Sequence, residues 1–143
     1  MQKESGQIRF LHQTGEEDFA WVDESYKKAG INAEVAPYVY NIVDMYGKAD
    51  IVICRAGATT IAEITASGRP AILIPYPHAA HDHQRTNAEY MQTMGSADVI
   101  LEKDLNGKIL ADKIKYFMYN RDRLKEMAEK SSGLYRQNSA HDI

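Results

Sequence analysis

The 143-residue chain is predicted to be an α/β protein built on a doubly wound parallel sheet. Three observations predict it. Strand-length apolar runs alternate with helical patterns, the order expected when crossover helices cover a parallel sheet. The runs at 51–54 (IVIC) and 71–74 (AILI) are unbroken rather than alternating, as in strands buried on both faces. Helical stretches close at Gly30, Gly68 and Gly95, the residue type that best accepts a left-handed cap.

The elements follow in order. Residues 8–12 (IRFLH) form the first expected strand, and Thr14 and Gly15 turn the chain. Residues 16–29 are helical, with Phe19, Val22 and Tyr26 at three-to-four spacing. A short strand at 33–36 is closed by Pro37, and a helix at 42–48 carries Ile42, Met45 and Tyr46 on one face. The strand at 51–54 leads into a helix at 60–67, which Gly68 stops and Pro70 prevents from continuing. The strand at 71–74 ends at Pro75, and a histidine-rich loop covers 76–83. A helix at 84–94, a last strand at 97–101 and helices at 106–119 and 122–131 complete the order. No repeat, low-complexity tract or linker interrupts it, so one domain over 1–143 is expected.

Composition narrows the function classes. Hydrophobic residues make up 44% and charged residues 26%, ordinary for a globular protein. The net charge is −3 with no basic block, which argues against nucleic acid or an anionic membrane as the main partner of this segment. The one cysteine, Cys54, has no partner for an internal disulfide and lies in an expected buried strand, in keeping with a reducing compartment. No apolar run approaches the 18 residues or so of a membrane span.

The stretch ADIVICRAGATTIAE at 49–63 is the most informative. It is a strand, a glycine turn and a helix start. Ligands of open α/β sheets bind outside the carboxyl ends of the strands, and a helix N-terminus there suits a phosphate. Gly57 permits close backbone approach, and Arg55 adds a cation. Thr59 or Thr60 is expected to cap the helix, and Thr60 with Glu63 has capping-box spacing. The loop PYPHAAHDHQRTNAE borders the same rim and holds His78, His81, Asp82, His83, Gln84, Arg85 and Asn87. Its histidines suggest a metal on composition, but their spacing fits no ligand pattern on a regular element. Ligand recognition is therefore preferred over a metal, or over a solvated loop in which Asp82 only caps the next helix.

ADIVICRAGATTIAE followed by GRPAILIPYPHAAHDHQRTNA resembles the C-terminal half of glycosyltransferase family 28, the MurG family. HQTG at 12–15 and VAPYVYNIVDMYGKAD at 35–50 fit the same pattern, so the resemblance runs nearly the whole chain. It implies a Rossmann-like domain, the C-terminal half of a GT-B glycosyltransferase, that binds UDP-N-acetylglucosamine. The reaction implied is inverting transfer of N-acetylglucosamine to lipid I, giving lipid II in peptidoglycan synthesis. The resemblance also implies that the first strand with its Gly-Gly-Ser loop, and an N-terminal acceptor domain with the catalytic base and the membrane contact, belong to a longer parent. No catalytic residue is then expected within this segment, nor any metal or cofactor. The parent is expected on the cytoplasmic face of the inner membrane.

Carried over by position, Tyr38 and Val39 fall where the family holds the uracil, and Glu63 falls on the acid that binds the ribose hydroxyls. Gly57, Ala58 and Thr59 fall on the helix start facing the diphosphate. Arg55 matches an arginine of the turn, and Gln84 a glutamine that contacts the donor sugar. His83 stands where the family has a second glutamine, and His12 near the cleft. The alternatives are a stand-alone nucleotide-sugar-binding subunit of a two-chain glycosyltransferase and, more distantly, a nucleotide-sugar epimerase. The latter would need acid/base carboxylates in the cleft, where only Glu63 and Asp82 are expected.

Overall fold

A computed structural model describes residues 7–141, with side chains through Arg136. The described chain is mixed α/β, with strands β1 (Phe10–Gln13), β2 (Ala33–Ala36), β3 (Val52–Cys54), β4 (Ala71–Leu73) and β5 (Ala97–Val99). The helices are α1 (Phe19–Ala29), α2 (Ile42–Lys48), α3 (Ala58–Ala66), α4 (His83–Thr93), α5 (Gly107–Tyr119) and α6 (Arg121–His141). Every strand pairing is parallel. The chain divides into two compact units at Met45/Tyr46.

In the first unit, β1 pairs with β2 in the register Phe10–Ala33 to Gln13–Ala36. Helix α1 returns the chain between them, and Gly30 caps it at φ 68°. His12 on β1 meets the Tyr26 hydroxyl of α1 at 2.8 Å.

In the second unit the strand order is β3-β4-β5. Strand β4 is the central one, and all three of its residues are buried. Ile72 of β4 belongs to the core with Ile100, Phe117, Leu124 and Met127. Ile51, Ile53, Ile74, Leu105 and Leu110 pack against that cluster. The unbroken run at 71–74 is thus explained by the burial of β4, whereas β3, expected to be buried on both faces, is only partly buried at all three of its residues. Helix α3 packs along α6 and α4 along β5. The α3–α6 approach is close at Gly68, where an added Cβ would lie 2.4 Å from the Ser132 Oγ. No helix among the described residues is long and apolar enough to cross a membrane.

The bounds of α1 and α6 differ from expectation for identifiable reasons. Helix α1 starts at Phe19 rather than residue 16, since the preceding residues form a turn. Helix α6 runs to His141 rather than ending near 131. Ser131 does not end it, because Ser131 is fully buried and Leu134, one turn on, is buried too.

Candidate functional site

The site in the second unit is built at the carboxyl ends of two neighbouring strands. The register sets Cys54 beside Leu73, so the turn after β3 and the loop after β4 leave the sheet side by side. The Ile74 N–H donates to the Cys54 carbonyl at 2.9 Å, extending the ladder past the strands.

Arg55 joins the two exits. Its Nη1 donates to the Ile74 carbonyl at 3.2 Å, and its Nη2 pairs with Glu102 at 2.6 Å. The guanidinium also lies 5.5 Å from the centre of the Tyr76 ring. The pair is about half exposed, at 47% and 40%, so its ion-pair energy is modest. Arg55 thus has a carboxylate partner within the fold, Glu102.

Ala56 is fully buried, and α4 holds its peptide on both sides. The Ala56 N–H donates to Gln84 Oε1 at 3.2 Å, and Asn87 Nδ2 donates to the Ala56 carbonyl at 3.0 Å. Gln84 Oε1 also accepts the Tyr76 N–H at 2.9 Å. One amide oxygen thus ties the β3 turn to the β4 loop. Because that oxygen takes two donors, the other end of the amide, Nε2, is turned toward Gly57. It would sit 3.9 Å from a Cβ at that residue. Immediately before Gln84, His81 and Asp82 adopt left-handed φ values of 52° and 56°. Such strain costs about 1–3 kcal/mol per residue and is typically retained at functional loops.

The helix start departs from the expected capping box. Helix α3 begins at Ala58, with Gly57 as N-cap and no side-chain cap. Thr60 is therefore already inside the first turn and Glu63 lies one turn further in, so they cannot close the box. Glu63 instead accepts a hydrogen bond from the Tyr46 hydroxyl at 3.3 Å. Gly57 has φ −68°, which any residue adopts, and the nearest atoms to an added Cβ are 3.9 and 4.0 Å away. Neither backbone strain nor crowding explains glycine here. Its effect is to leave the first-turn N–H groups of α3 uncovered.

Burial sets the ionisation of two neighbours. It pushes the Cys54 thiol up to about 12, which leaves it unreactive. Burial, then the Glu63 charge, pushes the Tyr46 phenol up to about 12 as well. In the loop, His83 is exposed, and its ring meets His81 edge-on at 5.7 Å. Asp82 occupies the N-cap position of α4 without a side-chain bond to the helix. Among the described residues no group of three or more His, Cys, Asp or Glu is arranged to hold a metal ion.

In the first unit, Tyr38 is 60% exposed, so it is not a core residue. It stacks edge-on with Tyr40, with ring centres 5.0 Å apart. The Val39 N–H donates to Gln13 Oε1 at 2.9 Å. Burial lowers the pKa of His12.

Sequence reasoning grouped Asn87 with the polar loop and Tyr46 with an apolar helix face, and missed what each holds. The three-residue spacing of Gln84 and Asn87 on one helix was an available signal. Nothing local marks Tyr46 or Glu102, which lie 17 and 47 residues from their partners.

Comparison with known proteins agrees with this geometry. The whole chain, residues 1–143, matches the glycosyltransferase family 28 C-terminal domain. It is 48% identical over 136 residues to a Geobacter metallireducens protein, covering 95% of this chain and 37% of that protein. It is 43% identical to a Geobacter sulfurreducens protein, covering 100% of this chain and 39% of that one. Both carry the name UDP-N-acetylglucosamine–N-acetylmuramyl-(pentapeptide) pyrophosphoryl-undecaprenol N-acetylglucosamine transferase. The chain thus spans well under half the length of these curated relatives. The crystal structure of Acinetobacter baumannii MurG superposes with a TM-score of 0.79 at 31% identity, covering 87% of this chain and 36% of that one. With a parallel α/β fold, a strand–glycine–helix turn at its strand ends and a family match over its full length, the chain belongs to the glycosyltransferase family 28 C-terminal domain family.

Proposed function

We propose that this chain is the UDP-N-acetylglucosamine-binding domain of an inverting hexosyltransferase that converts lipid I to lipid II in peptidoglycan synthesis. The observation that carries the reading is the uncovered start of α3 at Gly57, a glycine that neither backbone conformation nor crowding requires. Bare N–H groups and the positive end of the helix dipole suit a diphosphate, and they stabilise charge that builds up as UDP departs.

The remaining groups take roles by their chemistry. Gly57, Ala58 and Thr59 present the helix start to the diphosphate. Gln84 offers Nε2 as a donor to the sugar, beside His83. Glu63 accepts the ribose hydroxyl protons through the oxygen that Tyr46 leaves free. Arg55 adds positive charge at the rim while holding the two loops together. Tyr38 and the backbone at Val39 take the uracil. The acceptor site, the base that deprotonates the acceptor hydroxyl and the membrane contact are assigned to a further part of a longer parent, peripheral on the cytoplasmic face of the inner membrane.

The test compares UDP with 2′,3′-dideoxy-UDP by titration calorimetry. Wild type is expected to prefer UDP. Glu63→Ala loses that preference, since charge-assisted bonds contribute about 1.5–3 kcal/mol, roughly ten- to hundredfold in affinity. A Glu63→Ala variant that keeps the full wild-type preference refutes the ribose assignment.

A further inference from the structure

We propose that Tyr46 is a positioning residue that presents one oxygen of the Glu63 carboxylate to a ligand's vicinal hydroxyls. The inference rests on the ribose reading of Glu63 given above.

Tyr46 is the buried residue of α2, only 8% exposed. Its hydroxyl is the polar end of an otherwise apolar side chain, and it donates to Glu63 Oε2 at 3.3 Å. Glu63 itself is only partly buried, on a side chain with three rotatable bonds. Left alone, such a carboxylate samples many orientations and loses that freedom when a ligand binds. A bond from a buried phenol removes the freedom beforehand. It also makes the two oxygens unequal. Oε2 is engaged by the protein, while Oε1 keeps its lone pairs for hydroxyl donors. A phenol that holds its proton up to about 12 remains a donor throughout the physiological range. The contact lies 17 residues apart in sequence, joining the end of one helix to the middle of the next.

The experiment is the same pair of ligands, UDP and 2′,3′-dideoxy-UDP, titrated into wild type, Tyr46→Phe, Glu63→Ala and the double variant. Thermal unfolding of each is measured alongside. Tyr46→Phe is expected to lose UDP affinity about three- to tenfold, the size expected when one side chain must be ordered on binding. Affinity for the dideoxy ligand is expected to stay at the wild-type value. In the Glu63→Ala background, Tyr46→Phe is expected to add no further loss, the non-additivity of residues acting as a unit. If Glu63→Ala abolishes the preference while Tyr46→Phe keeps it in full, Tyr46 is structural and the inference fails alone. If Glu63→Ala also keeps the preference, the ribose reading fails and takes the inference with it.

Discussion

Replacing Gln84 separates its two ends, because one holds the protein and the other faces the Gly57 turn. In Gln84→Leu the Ala56 N–H loses its acceptor in a fully buried position, at about 1–3 kcal/mol. The Tyr76 N–H loses its acceptor too. Tyr76 is exposed, so water can replace that bond, and the added cost is about 0.5–1 kcal/mol. The sum, roughly 1.5–4 kcal/mol, corresponds to a Tm fall of about 3–15 °C for a chain of this size. Gln84→Glu retains an oxygen at the same place. It puts a negative charge in the first turn of α4, where the helix dipole favours one. Its stability should stay within about 0.5 kcal/mol of wild type. Binding should behave in the opposite way. The glutamate presents an anionic oxygen where Nε2 stood, so affinity for UDP-N-acetylglucosamine should fall by about tenfold or more. Urea unfolding and titration calorimetry on the three proteins read both quantities. A Gln84→Glu protein as unstable as Gln84→Leu refutes the oxygen clamp. A stable Gln84→Glu protein with wild-type affinity refutes the outward-facing donor.

Two further outcomes follow from burial and packing. Cys54 and Tyr46 keep their protons to about 12 in the folded chain, against ordinary values of 9.0 and 10.0. The unfolded chain therefore releases protons first, and stability should fall as pH rises from about 9 toward 12. Urea midpoints measured across that range should decline, and Cys54→Ala should remove the earlier part of the decline; a flat wild-type profile would count against the buried thiol. Gly68→Ala should destabilise by more than about 1 kcal/mol, since Gly68 has φ +65° and the new Cβ would meet the Ser132 Oγ at 2.4 Å. Adding Ser132→Ala should restore part of the loss in a thermal melt, and a neutral Gly68→Ala would contradict the close α3–α6 approach.

Much of the architecture was legible in local chemistry. Residues 33–36 and 42–48 fall where expected, because Pro37 closes the strand and the apolar spacing of Ile42, Met45 and Tyr46 suits only a helix. The unbroken runs around Ile53 and Ile72 declared parallel strands, since no solvent-facing polar residue alternates with them; β4 is buried throughout as expected, whereas the residues of β3 are only partly buried. The Arg55–Gly57 turn was legible for the same reason, as a strand end, a glycine and a helix start lie within a few residues. The cap was misassigned because Thr60 and Glu63 have capping-box spacing, whereas the actual N-cap, Gly57, has no side chain to announce itself.

What holds the site was decided only by the tertiary structure. Arg55 with Glu102, Glu63 with Tyr46, and Ala56 with Gln84 and Asn87 are partners between 17 and 47 residues apart. No periodicity encodes such pairs. The Arg55 and Ala56 pairs arise because parallel register sets Cys54 beside Leu73 and Leu73 beside Val99, so that loops remote in sequence leave the sheet together, while Tyr46 and Glu63 join the helices on either side of β3 in the chain. The type of chemistry at the strand ends was thus written in neighbouring residues, which hydrogen-bond and turn locally. The orientation of each functional atom depended on which distant donor or acceptor the folded sheet brought within about 3 Å, the reach of a hydrogen bond.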